Sequence, residues 1–193
     1  MNRQKQPTLF LDRDGTINVN LDDTYVTKPS ELELIPGVAA ALVRARNAGY
    51  KLAIITNQAG IGKGLYSDQD LNEIHNEMTA LIRKETGDST FEFDCIEFCP
   101  HKSDVDCACR KPKTLMMERA IATLDSDLLK SFYIGDKKAD LYCGADAGVR
   151  AILVRTGYGK KTEKECAEWT DKKPVHIAND LSDAVDFILS ASA

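Results

Sequence analysis

The sequence predicts an α/β protein with a doubly wound, mostly parallel, Rossmann-like sheet. Three observations predict it. Short apolar runs alternate with amphipathic stretches of helical period. The 193 residues, 43% of them hydrophobic, suit one ordinary domain over 1–193. Strands separated by crossover helices imply a sheet covered on both faces.

The elements follow in order. TLFL at 8–11 reads as a buried strand. Val38, Ala41, Leu42 and Ala45 stand at i, i+3, i+4 and i+7 and define a helix face, closed by Gly49. KLAIIT at 51–56 is a second strand. Ser67 and Asp70 have capping-box spacing ahead of a helix striped by Leu71, Ile74, Met78, Leu81 and Ile82. FDCIEF at 93–98 is a third strand, and Met117, Ala120, Ile121 and Leu124 mark the next helix. SFYIGD at 131–136, AILV at 151–154 and PVHIA at 174–178 are further strands. The run GKKTEKECAEWTDKK reads as a solvated connection with room for a short helix, with Trp169 free to pack back. A helix carrying Leu181, Ala184, Val185 and Ile188 ends the chain.

The net charge of −5 argues against a general nucleic-acid or anionic-membrane binder. No apolar run approaches the roughly 18 residues of a membrane span, and the start MNRQKQPTLFLDRDG does not read as a signal peptide. A cytoplasmic monomer is expected, its six cysteines reduced.

Ligands of such sheets sit beyond the carboxyl ends of the strands. There the sequence places DRDGTIN, then TNQAGIGKG, then a cysteine loop with Arg110 and Lys111, then GDKKAD. Acids, a hydroxyl and lysines converge on one rim, which suits phosphoryl transfer through a covalent intermediate. Asp12 suits the nucleophile. Asp14 suits a proton donor that later activates water. Carboxylates facing a phosphate dianion need a cation: Asp12, Asp136 and a backbone carbonyl in the Asp14 region form a hard oxygen site for Mg²⁺. Thr56 and Lys111 suit stabilisation of the phosphoryl oxygens. Asp140 reads equally as a first-turn acid and as a support for the metal. Lys63, in the glycine-rich loop, is a candidate for a distal phosphate. His75 lies on an apolar helix face and is expected to be packed.

The spacing Cys-x-His-x₅-Cys-x-Cys of Cys99, His101, Cys107 and Cys109 fits Zn²⁺. Four protein ligands close a tetrahedral site and leave no place for substrate, so this zinc is expected to be structural. It would aim Arg110 and Lys111, which follow Cys109 directly. Cys95, Cys143 and Cys166 are expected to be unligated.

FLDRDGTIN, IITNQ, CRKP and YIGDKKAD resemble the four motifs of the haloacid dehalogenase (HAD) phosphatase superfamily, from Leu9 to about Gly157. The order DRDGT, TNQ, CxH, CxC, RKP, GDK resembles in particular the D-glycero-D-manno-heptose-1,7-bisphosphate 7-phosphatases, with LVRTGYG and GIGKG fitting them better than the histidinol-phosphate phosphatases. The resemblance implies no large mobile cap domain. It implies Asp12 as nucleophile, Asp14 as acid/base, Thr56 and Lys111 as phosphoryl stabilisers, and Asp136 and Lys137 as completing the metal and phosphate site. It implies Arg110 as a substrate-recognition residue, Arg13, Asn57 and Gln58 as further substrate contacts, and a substrate loop over 20–25 with Asn20, Asp23 and Tyr25. It also implies a small sugar bisphosphate as substrate and a place in ADP-heptose supply for lipopolysaccharide core. The same chemistry on histidinol phosphate is one alternative. A phospho-accepting receiver domain is another, but a receiver carries its acceptor aspartate after a middle strand, where this chain has IITNQ.

Overall fold

The structure is a computed structural model, and it describes residues 5–21 and 24–191. Six strands form one sheet in the order β3-β2-β1-β4-β5-β6. They are β1 (Thr8–Leu11), β2 (Lys51–Asn57), β3 (Cys95–Cys99), β4 (Phe132–Gly135), β5 (Arg150–Val154) and β6 (His176–Ala178). Every adjacent pair is parallel, with Leu9 opposite Leu52 on one side and Phe132 on the other.

Side chains of successive strand residues leave opposite faces, and both faces are apolar. Leu9, Leu11, Leu52, Ile54, Phe132, Ile134, Ile152 and Val154 pack on one face. That face is covered by α1 (Val38–Asn47), α3 (Asp68–Thr86) and α7 (Leu181–Ser190). Phe10, Ala53, Ile55, Tyr133, Ala151 and Leu153 pack on the other against α4 (Leu115–Leu124) and α5 (Lys138–Asp146). Burying each large apolar side chain contributes about 1.5–3 kcal/mol, so two filled faces hold the sheet rigid beneath its rim.

One short helix escaped the apolar pattern: α2 (Ala59–Gly62) forms inside the glycine-rich stretch. α6 (Gly159–Cys166) is the short helix for which the solvated connection left room. Gly62 lets α2 lie against the cysteine loop: its N–H donates to the Pro100 carbonyl at 2.9 Å, and a Cβ there would sit 2.7 Å from that oxygen. The capping box of α3 is present, with Ser67 and Asp70 bonded reciprocally. Trp169 packs edge-on against Tyr142 with ring centroids 5.4 Å apart.

The strand order reverses direction between β1 and β4. The crossovers leaving these neighbours go to opposite sides, which opens a crevice at their carboxyl ends. Asp12 follows β1 and Asp136 follows β4, so the topology places both carboxylates at that crevice. Among the described residues, no large cap covers it. Among the described residues, no helix is long and apolar enough to cross a membrane.

Candidate active site

Asp12 sits one residue past β1, its N–H donating to the Ile134 carbonyl at 3.0 Å, so the sheet itself fixes the carboxylate. Carboxylate oxygens of Asp12, Asp136 and Asp140 all lie within 4.8 Å of one another, and all three residues are buried. Such a cluster repels itself. Burial foremost, then the Asp12 charge, pushes Asp136 up to about 8. Lys111 offsets part of this. Its side chain is 3% exposed, and its ammonium lies 2.8 Å from Asp12 Oδ1 and 2.7 Å from Asp140 Oδ1 and within hydrogen-bond reach of the Ile55 carbonyl and the Tyr133 hydroxyl. Burial would lower the Lys111 pKa, but the two acids outweigh it and carry the pKa well above the ordinary lysine value.

The cluster fits a divalent cation. The donors are hard oxygens, and Asp136 Oδ1 is buried without a hydrogen-bond partner among the described residues. The other oxygen of Asp136 accepts the Tyr158 N–H at 2.7 Å. Gly15 and Gly157, at φ +88° and +54°, bring backbone against this carboxylate: a Cβ would lie 2.5 and 2.2 Å from Asp136 Oδ2. The Thr156 hydroxyl ties the second loop to the first by donating to the Gly15 carbonyl at 2.6 Å. The LVRTGYG stretch therefore buttresses the acid cluster. Asp140 serves two ends, pairing with Lys111 and accepting the Lys137 N–H at 2.9 Å in the first turn of α5.

Asp14 was expected to lend its neighbourhood to the metal through a backbone carbonyl. Its side chain stands apart from the three-acid cluster. Arg13 donates to both its oxygens, Asn18 donates to Oδ1 at 3.1 Å and Gln58 donates to Oδ2 at 2.9 Å. Burial acts to raise the Asp14 pKa, but the Arg13 charge and these hydrogen bonds outweigh it and hold the carboxyl below its ordinary value.

A cleft of about 480 Å³ opens above these groups. Asp12, Asp14, Asn20, Tyr25, Thr56, Asn57, Lys63, Arg110, Lys111 and Lys137 all line it. Lys137 and Lys63 lie over the rings of Tyr158 and Tyr25, at 4.7 and 5.1 Å. Arg110 donates to the His101 carbonyl at 3.4 Å, so the cysteine loop steadies it.

Two expected substrate contacts, Arg13 and Gln58, need correction, and a third, Asn57, has a second task. Arg13 is 1% exposed and folds back onto its neighbour Asp14, with no surface left for a ligand. Gln58 is 0% exposed, its amide spent on Asp14, Thr56 and Tyr66. Asn57 reaches the cleft but clasps the backbone of Lys111, accepting its N–H at 3.1 Å and donating to its carbonyl at 3.3 Å. Arg13 and Gln58 hold the Asp14 carboxylate, and Asn57 holds the backbone of Lys111. Asp23 lies outside the described residues. The sequence singled out neither Tyr66 nor the contact of His75 with Arg13, 3.5 Å away.

In the cysteine loop, Cys99, His101, Cys107 and Cys109 turn their ligand atoms together. Cys109 Sγ lies 3.2 Å from Cys99 Sγ and from His101 Nδ1, and Cys107 Sγ lies 3.7 Å from both other sulfurs. A tetrahedron of zinc–sulfur bonds of about 2.3 Å has edges of about 3.8 Å, so the four atoms fit such an ion. Burial first, then the neighbouring thiols, raises Cys99 to about 12, so loading a metal releases protons. Cys95, Cys143 and Cys166 are free thiols.

A family model described as HAD-hydrolase-like matches residues 108–184. The chain is 39% identical over 189 residues to the D-glycero-D-manno-heptose-1,7-bisphosphate 7-phosphatase of Chlorobaculum tepidum, covering 92% of this chain and 91% of that protein. It is 36% identical over 187 residues to the D-glycero-beta-D-manno-heptose-1,7-bisphosphate 7-phosphatase of Haemophilus ducreyi, covering 93% and 97%. Its fold is similar to the crystal structure of D,D-heptose 1,7-bisphosphate phosphatase from B. bronchiseptica complexed with magnesium and phosphate, with TM-score 0.86, 32% identity and coverage of 96% and 99%.

Proposed function

The chain belongs to the D-glycero-D-manno-heptose-1,7-bisphosphate 7-phosphatase family of HAD phosphatases, and from that premise we propose that it removes the 7-phosphate of heptose 1,7-bisphosphate through an aspartyl phosphate on Asp12. The observation that carries this reading is the pairing of a sheet-fixed Asp12 with a separately held Asp14 on one cleft that also presents Lys111, Lys137 and Arg110.

Asp12 attacks the 7-phosphorus and the bond from phosphorus to the sugar oxygen breaks. Asp14, ionised in the free enzyme, takes up a proton as the anionic substrate binds and gives it to that departing oxygen. Water then attacks the phosphorus of the aspartyl phosphate, Asp14 takes the proton, and orthophosphate leaves as Asp12 is regenerated. Thr56 and Lys111 stabilise the charge spread over the transferring oxygens. Arg110 and Lys137 read the rest of the substrate. Mg²⁺, held by Asp12, Asp136, Asp140 and a backbone carbonyl near Asp14, would neutralise the phosphate charge that otherwise keeps a dianion from the carboxylates. Zn²⁺ on Cys99, His101, Cys107 and Cys109 would be structural, fixing the loop that presents Arg110.

The product, a heptose 1-phosphate, suits nucleotide activation on the way to ADP-heptose and lipopolysaccharide core. A cytoplasmic monomer suits this reading. The test is phosphate release with Mg²⁺ from heptose 1,7-bisphosphate and histidinol phosphate side by side, with Asp12→Asn as control. Rapid release from the bisphosphate alone, lost in the variant, is expected. Preference for histidinol phosphate overturns the substrate. No release from either overturns the reaction.

A further inference from the structure

We propose that Tyr66 and Gln58 form a positioning relay that holds Asp14 in line for proton transfer to the leaving sugar oxygen. The proposal rests on the reading of Asp14 as the acid/base.

The relay is built from three side chains. Tyr66 donates its hydroxyl to Gln58 Oε1 at 2.5 Å. Gln58 Nε2 donates to Asp14 Oδ2 at 2.9 Å and to Thr56 Oγ1 at 2.8 Å. Chemistry fixes the amide's orientation. Arg13 Nη2 lies 3.3 Å from Oε1, and a guanidinium only donates. The oxygen therefore faces Arg13 and Tyr66, and both amide protons face the cleft, one on the proton-handling acid and one on the hydroxyl beside the phosphoryl site.

The fold makes room for this tyrosine. A Cβ at position 60 would lie 2.2 Å from a Tyr66 ring carbon, so the ring's place requires Gly60. Ser67 caps α3 immediately afterwards and fixes the direction of the chain past the ring. Both Tyr66 and Gln58 are buried. Arg13 fixes Asp14 along one edge through donors to both oxygens, and Asn18 adds a donor to Oδ1. The Gln58 amide adds a donor to Oδ2 from a different element, and Tyr66 keeps that amide from turning. Without the hydroxyl, Oε1 retains only the long Arg13 contact, and the amide can rotate away from Asp14.

A buried tyrosine that merely satisfies its hydroxyl would affect stability but would treat all substrates alike. A relay that serves acid catalysis would not. The leaving-group oxygen of a sugar needs a proton as the phosphorus bond breaks, whereas p-nitrophenolate leaves without one. The comparison uses kcat/KM, which covers steps up to departure of the leaving group and omits the later use of Asp14 as base. General acid catalysis contributes typically 10²–10⁴-fold, and a misplaced acid forfeits part of it.

The experiment measures kcat/KM for heptose 1,7-bisphosphate and p-nitrophenyl phosphate in the magnesium- and zinc-loaded enzyme and its Tyr66→Phe, Gln58→Met and Asp14→Asn variants. Tyr66→Phe is expected to lose about tenfold or more on the sugar and less than about threefold on the aryl ester. Gln58→Met also frees Thr56, so it should lower both and keep the larger loss on the sugar. Asp14→Asn should show the largest split. An equal loss on both substrates in Tyr66→Phe and Gln58→Met, or no loss, with the split intact in Asp14→Asn, overturns the relay alone. An equal loss in Asp14→Asn overturns the acid/base reading beneath it.

Discussion

Replacing Lys111 by methionine removes the ammonium from the centre of the acid cluster and keeps an apolar chain of similar length. Asp12 and Asp140 then lose ion pairs of 2.8 and 2.7 Å in a site where the lysine is 3% exposed. The Ile55 carbonyl keeps the Tyr133 hydroxyl as donor at 3.1 Å, so the cost falls on the charges. Breaking a buried ion pair by deleting one partner costs about 3–5 kcal/mol. At about 2–4 °C per kcal/mol for a chain of this size, Tm should fall by roughly 6–20 °C. The deficit should depend on pH. Burial and the Asp12 charge raise the Asp140 pKa, while Lys111 opposes the rise, so the variant's cluster titrates higher still. A raised carboxyl contributes stability that is present below its unfolded value and is lost as pH rises through its folded one. The deficit should therefore be larger at pH 8 than at pH 5, and magnesium should shrink it. Urea unfolding of both proteins in EDTA and in magnesium, at both pH values, measures this. A variant within about 1 kcal/mol of the parent at pH 8 in EDTA, or a deficit that grows on acidification, refutes the reasoning.

His75 gives a second pH dependence. Burial, then the Arg13 charge, lowers its pKa to about 3, against about 6.5 unfolded, so its stability is present above 6.5 and is lost as pH falls toward 3. That one group costs about 2 kcal/mol between pH 6.5 and 5, and His75→Gln should flatten this part of the urea-midpoint profile. Gly157→Ala sets a Cβ 2.2 Å from Asp136 Oδ2 at φ +54°. It should destabilise the protein by about 1–3 kcal/mol and weaken magnesium binding in calorimetry. In zinc-loaded protein, removing the metal should make Cys107 reactive to a thiol reagent, and either metal removal or Cys107→Ser should raise KM for the bisphosphate more than it lowers kcat, because Arg110 leans on the His101 carbonyl.

Much of this was legible in the letters, for definite reasons. A parallel strand is buried on both faces, so TLFL, KLAIIT and AILV appear as unbroken apolar runs. Their edges shift by a residue or two because hydrogen bonding, not side-chain type, ends a strand. α6 was harder to place, since its buried residues Gly159, Thr162 and Cys166 carry little apolar signal. At the site, residue types after the strands brought Asp12, Asp14 and Lys111 to one cleft, with Asp136 buried beside Asp12, because the topology decides which strand ends meet. The direction of a side chain is another matter. Arg13 beside Asp14 reads equally as a hand for substrate or a clamp on its neighbour, and only the packed structure turns it inward. Asn57 and Gln58 share that ambiguity. Tyr66 had a faint signal, an aromatic between a glycine-rich turn and a helix cap, with nothing to say that its hydroxyl faces Gln58.

The most direct test of the account is chemical trapping of the phosphorylated residue. The magnesium-loaded protein is mixed with heptose 1,7-bisphosphate, quenched within one turnover and reduced with borohydride, which converts an acyl phosphate to an alcohol. Mass spectrometry of the peptide carrying FLDRDGTIN should find Asp12 reduced to homoserine, and only when the substrate is present. Reduction at Asp14 or Asp136 instead, or none while phosphate is being released, would contradict the account.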